Sequence, residues 1–249
     1  MYLWKYWRES RITFGVTVLG LAILLALILR SNLQVGHGNP NPNQLSGIVY
    51  VLVIAQSIPL GFVAWLFGSF GVGRDLGESS GSYLLTRPRR RAFFVWSDWG
   101  YGMAQLLTIV ILTNAVLGVL VSRLLDAMGN PIPGRIVLFG TPVPIPLAMA
   151  LSGLGGLLLV ALIFSLTHFC TVLVKNSKGV MLAAGVLLGY TILKAVVKHY
   201  WPQIELPSLI LQSFGEFTPQ SLITAVALRI AGILAFPFAA QLLLEKTDL

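Results

Sequence analysis

Residues 73–99 read GRDLGESSGSYLLTRPRRRAFFVWSDW, a charged and glycine-rich stretch in a chain that is otherwise almost uncharged. Five of the 17 Lys and Arg residues lie in it, at positions 74, 87, 89, 90 and 91. Basic residues concentrate in the cytoplasmic loops of membrane proteins. The stretch therefore predicts a cytoplasmic loop, residues 73–98, between two membrane helices.

The composition of the whole chain favours a membrane protein. Of its 249 residues, 56% are hydrophobic and only 10% are charged, with a mean hydropathy of +0.82. Soluble domains contain about 25% charged residues, and a soluble fold this poor in charge would expose large apolar patches. The net charge of +8 fits basic loops that face an anionic membrane surface. Because apolar segments flank the basic run, we expect lipid and no nucleic acid as its surroundings.

Apolar segments approaching the roughly 20 residues that cross a bilayer recur six times. The predicted fold class is an all-α integral membrane protein with six transmembrane helices in a single domain, residues 1–249. The predicted spans are residues 12–30, 47–70, 99–122, 146–174, 180–197 and 219–244.

Three segments outside the predicted spans have sequence patterns that indicate their structure. Residues 1–11, MYLWKYWRESR, place tryptophans at helical spacing and predict an N-terminal interfacial helix. Residues 123–143 are interrupted by Pro and Gly, which predicts an irregular connection. Residues 208–215 are too short to cross a bilayer and too apolar for a free loop. They predict a short re-entrant element before span six.

The basic residues also predict the orientation of the chain. Six spans place both termini on one side, and a cytoplasmic assignment of that side puts 11 of the 17 Lys and Arg residues in the cytoplasm. We therefore expect a multi-pass protein of the inner (plasma) membrane with cytoplasmic N- and C-termini. Lys194 and Lys198, near the outer end of span five, oppose this trend, although their side chains can snorkel to the headgroups.

Within the 73–98 loop, Asp75 and Glu78 suit the start of a helix, where carboxylates interact favourably with the helix dipole. Tyr83, Leu84 and Leu85 would then present an apolar surface to the cytosol beside the arginines. A loop that only sets orientation needs charge alone. The added apolar surface favours the docking of a soluble partner.

The segment ESSGSYLLTRPRRR, residues 78–91, together with WKYWRESR before the first span, resembles the membrane subunit of ABC-2-type transporters. In that family this segment forms a coupling helix that docks into a separate ATPase subunit. The resemblance implies a transport permease with a re-entrant element before its last span. It also implies that the chain pairs with a second permease subunit, as a homodimer or a heterodimer. Asp98 stands where the family commonly has a lysine. With the pattern above, the predicted docking residues are Asp75, Glu78, Tyr83, Leu84, Leu85, Arg87, Pro88 and Arg91.

The chain is not expected to be an enzyme. It contains no G-x-x-x-x-G-K-[ST] phosphate-binding loop, so ATP and Mg are expected on the partner ABC ATPase subunit and no cofactor on this chain. The three histidines are far apart in sequence, and His168 and Cys170 point to different helix faces, so no metal site is predicted. Export is favoured over import, since nothing indicates an external binding-protein dock.

Polar residues within the predicted spans are candidates for a translocation path: Gln56, Gln105, Asn114 and Arg229. Arg229 lies where an unpaired charge costs at least about 2.5 kcal/mol. It either lines the path or pairs with Glu205 or Glu216, or it snorkels outward. The amides equally fit hydrogen bonds between helices.

Two other classes of protein stay open, a secondary transporter and a membrane assembly factor without transport activity. A proton-coupled secondary transporter would call for acidic residues buried among the spans. None lies within a predicted span, which disfavours proton coupling.

Overall fold

A computed structural model describes residues 2–35, 59–77, 91–127, 135–138, 141–204, 206 and 219–246. The described chain is almost entirely helical, with one short β-hairpin. The predicted re-entrant element and residues 78–90 of the predicted 73–98 loop lie outside the described residues. The elements are α1 (Tyr2–Val35), α2 (helical residues 59–67), α3 (Val72–Gly77), α4 (Arg91–Ala127), β1 (Arg135–Leu138), β2 (Thr141–Pro144), α5 (Ile145–Val174), α6 (Gly179–Tyr200) and α7 (Pro219–Lys246).

Four helices in the described part of the chain are long and apolar enough to cross a membrane. They cover Arg91–Val119, Gly153–Val174, Gly179–Tyr200 and Ile223–Lys246. A shorter apolar stretch, Ser10–Ile23, lies within α1. The prediction of a helical protein embedded in a membrane is confirmed to this extent, and these four helices coincide with predicted spans three to six.

Helix α5 lies at the centre of the bundle. It packs against α3, α4, α6 and α7, and 67% of its apolar window is buried, whereas only 6% of that of α6 is. The main core joins Leu60 and Phe67 of α2, Leu106 and Ile109 of α4, and Phe164 of α5. The outer faces of α1 and α6 carry exposed Ile, Leu and Val side chains, which suits contact with lipid.

The N-terminal helix differs from the prediction. Residues 1–11 and 12–30 were expected as an interfacial helix followed by a span, but α1 runs without a break from Tyr2 to Val35. Ser10, at the end of the expected interfacial segment, is only 3% exposed and accepts a hydrogen bond from Gln105 of α4 at 2.9 Å. Ser10 therefore contacts α4, whereas Trp7, Arg8 and Arg11 are exposed.

The start of α4 corrects a second expectation. The helix begins at Arg91 and not at Trp99, so Asp98 lies two turns inside a candidate membrane span. The candidate span therefore includes an acidic residue that the predicted span 99–122 leaves out. The connection from α4 to α5 is also not wholly irregular, because β1 and β2 pair antiparallel, with Arg135 opposite Pro144 and Leu138 opposite Thr141.

Candidate docking end of the bundle

Residues 78–90, the middle of the predicted 73–98 loop, are called the 78–90 loop below. Its two described flanks are α3 and the start of α4. They meet the last turns of α5 and α7 at one end of the bundle. We call this region the loop end. It comprises α3, the first two turns of α4, the last two turns of α5, the 175–178 turn and the last turn of α7. Three features hold it together: a buried aspartate, a close contact between glycines and α5, and a clasp between α4 and α7.

Asp98 is the buried aspartate, at 3% exposure. Its Oδ2 accepts a hydrogen bond from the backbone N–H of Val72 at 2.8 Å and lies 3.5 Å from Nδ1 of His168. Val72 is the first residue of α3, whose N–H has no acceptor within its own helix. One carboxylate oxygen thus links α3, α4 and α5, and these partners offset the cost of burying its charge.

His168 completes this cluster from α5. Its ring stacks on Phe164 with an interplanar angle of 18° and ring centroids 6.1 Å apart. Its Nε2 has no hydrogen-bond partner in the part of the chain that the structure describes. The side chain is 1% exposed, so the Asp98–His168 pair is shielded from solvent on both sides.

Glycines bring α2 and α3 into backbone contact with α5. A Cβ at Gly68 would lie 2.7 Å from Cβ of Thr167, and one at Gly73 would overlap the backbone carbonyl of Thr171. A Cβ at Gly77 would overlap the carbonyl oxygen of Lys175. Real Cβ atoms do not approach this closely, so only glycine fits here without a shift of the helices. Helix α3 therefore rests directly on the end of α5.

A clasp between α4 and α7 closes the other side of the loop end. Nη1 of Arg91 donates to the carbonyl oxygen of Leu244 at 2.9 Å, and Nε1 of Trp96 donates to Oε1 of Gln241 at 2.7 Å. Leu244 lies in the last turn of α7, where carbonyls lack partners within the helix and the dipole favours a cation. The side chain of Arg91 thus links the first residue after the 78–90 loop, Arg91 itself, to the last turn of α7.

Comparison with protein-family models, with curated proteins and with solved structures finds no match for this chain. The functional proposal therefore rests on the residues of the loop and on the geometry of its two flanks.

Two of the predicted docking residues fall within the described part of the chain. Asp75 is 4% exposed, because α3 buries one face in the bundle, so its carboxylate is not offered to a partner. Arg91 is half-buried and engaged with α7. The other six lie outside the described residues: Glu78, Tyr83, Leu84, Leu85, Arg87 and Pro88.

Three of the four predicted path residues, Gln105, Asn114 and Arg229, fall within the described part of the chain. Gln105 donates to Ser10 at 2.9 Å and to the hydroxyl of Tyr101 at 3.4 Å, and so faces α1. Asn114 donates to the carbonyl of Val110 at 2.8 Å, and its Oδ1 would lie 2.9 Å from a Cβ at Gly153 of α5. Gln105 and Asn114 thus take part in helix contacts, as the alternative interpretation allowed.

Arg229 is buried at 9% exposure, and its Nη1 lies 3.5 Å from the carbonyl oxygen of Gly155. Its guanidinium therefore turns toward α5. Gln56, Glu205 and Glu216 lie outside the described residues, so the ion pairs considered for Arg229 stay predictions. Among the described residues, no three His, Cys, Asp or Glu side chains are placed to bind a metal ion.

The sequence analysis missed the Asp98–His168 pair. Asp98 was placed just before a span that was expected to begin at Trp99, and His168 was considered as a path-lining residue or as a hydrogen-bond partner between helices, with no partner named. Pro88 and the aromatic run 93–99 offered a usable signal. A helix that starts soon after a proline places Asp98 among the interfacial aromatics, where a carboxylate requires a partner.

The Ser10–Gln105 contact gives a first testable prediction. If Gln105 serves to join α1 to α4, the free energies of unfolding of Ser10→Ala, Gln105→Leu and the double variant should show an interaction energy of about 0.6 kcal/mol, as for other hydrogen bonds between membrane helices. Thr108→Ala is the matched control, because the hydroxyl of Thr108 donates to the carbonyl of Ala104 in its own helix. Unfolding in mixed micelles measures these energies. Strict additivity of the Ser10 and Gln105 changes would contradict the assignment.

Proposed function

We propose that this chain is the membrane-spanning permease subunit of an ABC-type exporter, driven by a separate ATPase subunit that docks on the 78–90 loop. The observation that carries the proposal is the anchoring of both flanks of this loop. Val72 is bound to Asp98 on one side, and Arg91 is bound to Leu244 on the other. Packed protein interiors have low compressibility, so a displacement of the loop passes into α5 and α7.

The residues of the loop support the same proposal. The segment 78–91 combines an acidic residue, an apolar Tyr-Leu-Leu group and four arginines, and a candidate membrane span begins at its last residue, Arg91. Such a surface suits a soluble partner, with charge complementarity setting its orientation. The chain has no phosphate-binding loop of its own, so ATP and Mg would be held by that partner.

In this proposal two permease copies pair, and each is gripped by an ATPase subunit. Closure of the ATPase subunits on ATP moves the two loops together. The movement tilts the helices that meet at the loop end of each copy. It exposes a path between the two copies alternately to each side of the membrane. Arg229, buried against α5, is the charged candidate for lining that path.

Purification of the tagged full-length chain from its native membrane in mild detergent tests the proposal. We expect a polypeptide with a P-loop ATPase sequence to co-purify in stoichiometric amount and to hydrolyse ATP. An otherwise intact chain that repeatedly purifies without any ATPase would contradict the proposal.

The buried Asp98–His168 pair favours one other function, proton-coupled transport by the chain alone. Acidic residues and histidines within membrane spans often mark proton pathways. In that case the purified chain, reconstituted in liposomes that enclose a pH-sensitive dye, should conduct protons without an ATPase. Asp98→Asn should abolish this proton flux, whereas no flux from the unmodified chain would exclude this function.

A further inference from the structure

The side chain of Asp98 connects the two helices that flank the 78–90 loop. The Oδ2 atom of Asp98 accepts the N–H of Val72 at 2.8 Å, which joins α3, leading into the loop, to α4, leading out of it. The same oxygen lies 3.5 Å from Nδ1 of His168 on α5. We propose that Asp98 is the positioning residue that ties the loop to α5, so that movement of a docked ATPase displaces the end of α5. This inference rests on the proposed function, because it concerns how the docked motor moves the bundle.

The charge and burial of Asp98 suit a firm joint. Hydrogen bonds to an ionised carboxylate are roughly twice as strong as bonds between neutral groups. At 3% exposure, water does not compete for Oδ2, and the low local dielectric strengthens the bond. No residue of α3 itself can satisfy the N–H of Val72, since the first N–H groups of a helix lie outside its hydrogen-bond ladder. Asp98 therefore fixes the start of α3 in a way that the short helix cannot achieve alone.

Backbone contacts make α5 the element that follows α3. Gly73 lies against the carbonyl of Thr171, and Gly77 against that of Lys175. The hydroxyl of Thr171, which donates to the carbonyl of His168 at 2.8 Å, also lies 3.3 Å from the carbonyl oxygen of Gly68. Such contacts leave no side chain between the two backbones to absorb a displacement. A shift of α3 held by Asp98 therefore moves the last two turns of α5, which in turn pack against α6 and α7.

Hydrogen–deuterium exchange on the complex of the full-length chain with its co-purified ATPase tests this assignment. In the unmodified complex, a non-hydrolysable ATP analogue should change exchange both in the 78–90 loop and in the last turns of α5. In Asp98→Ala the change should persist in the loop and disappear from α5. In Asp98→Asn, whose amide oxygen still accepts the N–H of Val72 without a charge, the response in α5 should fall between that of the unmodified complex and its loss in Asp98→Ala.

Glu245→Gln is the matched control. Glu245 is an exposed carboxylate at the same end of the bundle, and its Oε1 accepts from Gln241 at 2.9 Å. This variant should keep the full response in α5, because it leaves the joint between α3, α4 and α5 intact. If Asp98→Ala fails to give a monodisperse complex, the nucleotide response of α5 in Asp98→Asn is used instead. A reduced response supports the assignment, and an undiminished response contradicts it.

An undiminished response of α5 in the Asp98 variants, or an equal loss in Glu245→Gln, would overturn the assignment and leave the proposed function standing. An unmodified chain that binds no ATPase would refute the proposed function, and this inference with it. A purely structural role of Asp98 would raise exchange in the isolated chain but leave the nucleotide response of α5 in place.

Discussion

The Gly73→Ala variant is expected to lose stability by about 1–3 kcal/mol, the usual cost of overpacking a filled interior, with the upper end favoured. The added methyl group would overlap the backbone carbonyl of Thr171 and not the end of a flexible side chain. The overlap is relieved only if α3 moves away from α5. That movement would also stretch the bond between Val72 and Asp98.

Gly100→Ala is the matched control for this prediction. Gly100 lies on α4, and a Cβ there meets nothing within 4 Å. Alanine favours a helix interior over glycine, so this variant should be neutral or more stable by up to about 1 kcal/mol. Unfolding in detergent micelles, followed by tryptophan fluorescence, compares the two variants. Equal stabilities would show that α3 does not rest on α5 as described.

The Leu84→Asp variant is expected to release the ATPase subunit from the chain. If Leu84 is a buried anchor of the docked loop, its loss should cost at least about 2 kcal/mol of binding free energy, or roughly 30-fold in affinity. Glu78→Arg should also weaken docking, because it places a like charge where the partner is expected to carry a basic residue. Both residues lie in the loop, beyond the part of the chain that the structure describes.

Ser79→Asp is the matched control, because it adds a charge to the same segment at a position that is not among the predicted docking residues. Co-purification of the ATPase, titrated over a range of concentrations, measures the affinity. The melting temperature of each isolated permease variant should stay unchanged, since the docking role assigns these side chains to the surface that faces the partner. Full retention of the ATPase by Leu84→Asp and Glu78→Arg would contradict the docking role.

The class of this protein could be predicted from its sequence because long apolar runs have one physical solution, a helix in lipid. Helix limits were harder to predict. Hydropathy indicates the part of a helix that lies in lipid, whereas α4 continues outward through the aromatic residues to Arg91. For the same reason the expected boundary between residues 1–11 and 12–30 does not interrupt α1.

The contacts between helices at the loop end could not be predicted from the sequence pattern of any one segment. Asp98 is 26 residues from Val72 and 70 residues from His168 in sequence, and the backbone contact of Gly73 is with Thr171 of another helix. Local periodicity carries no information on such partners. Asp98 was instead noted as a departure from the lysine common in the resembling family, and the predicted span began one residue later.

The most direct test of the account is the side of the membrane on which the 78–90 loop lies. A single cysteine at Ser80, in a Cys170→Ala background that removes the one native thiol, is labelled on whole cells with a membrane-impermeant maleimide. A cysteine at Tyr200, an exposed residue at the far end of α6, provides the opposite-side control. The account predicts labelling of Tyr200→Cys on intact cells and of Ser80→Cys only after permeabilisation. Labelling of Ser80→Cys from outside intact cells would contradict it.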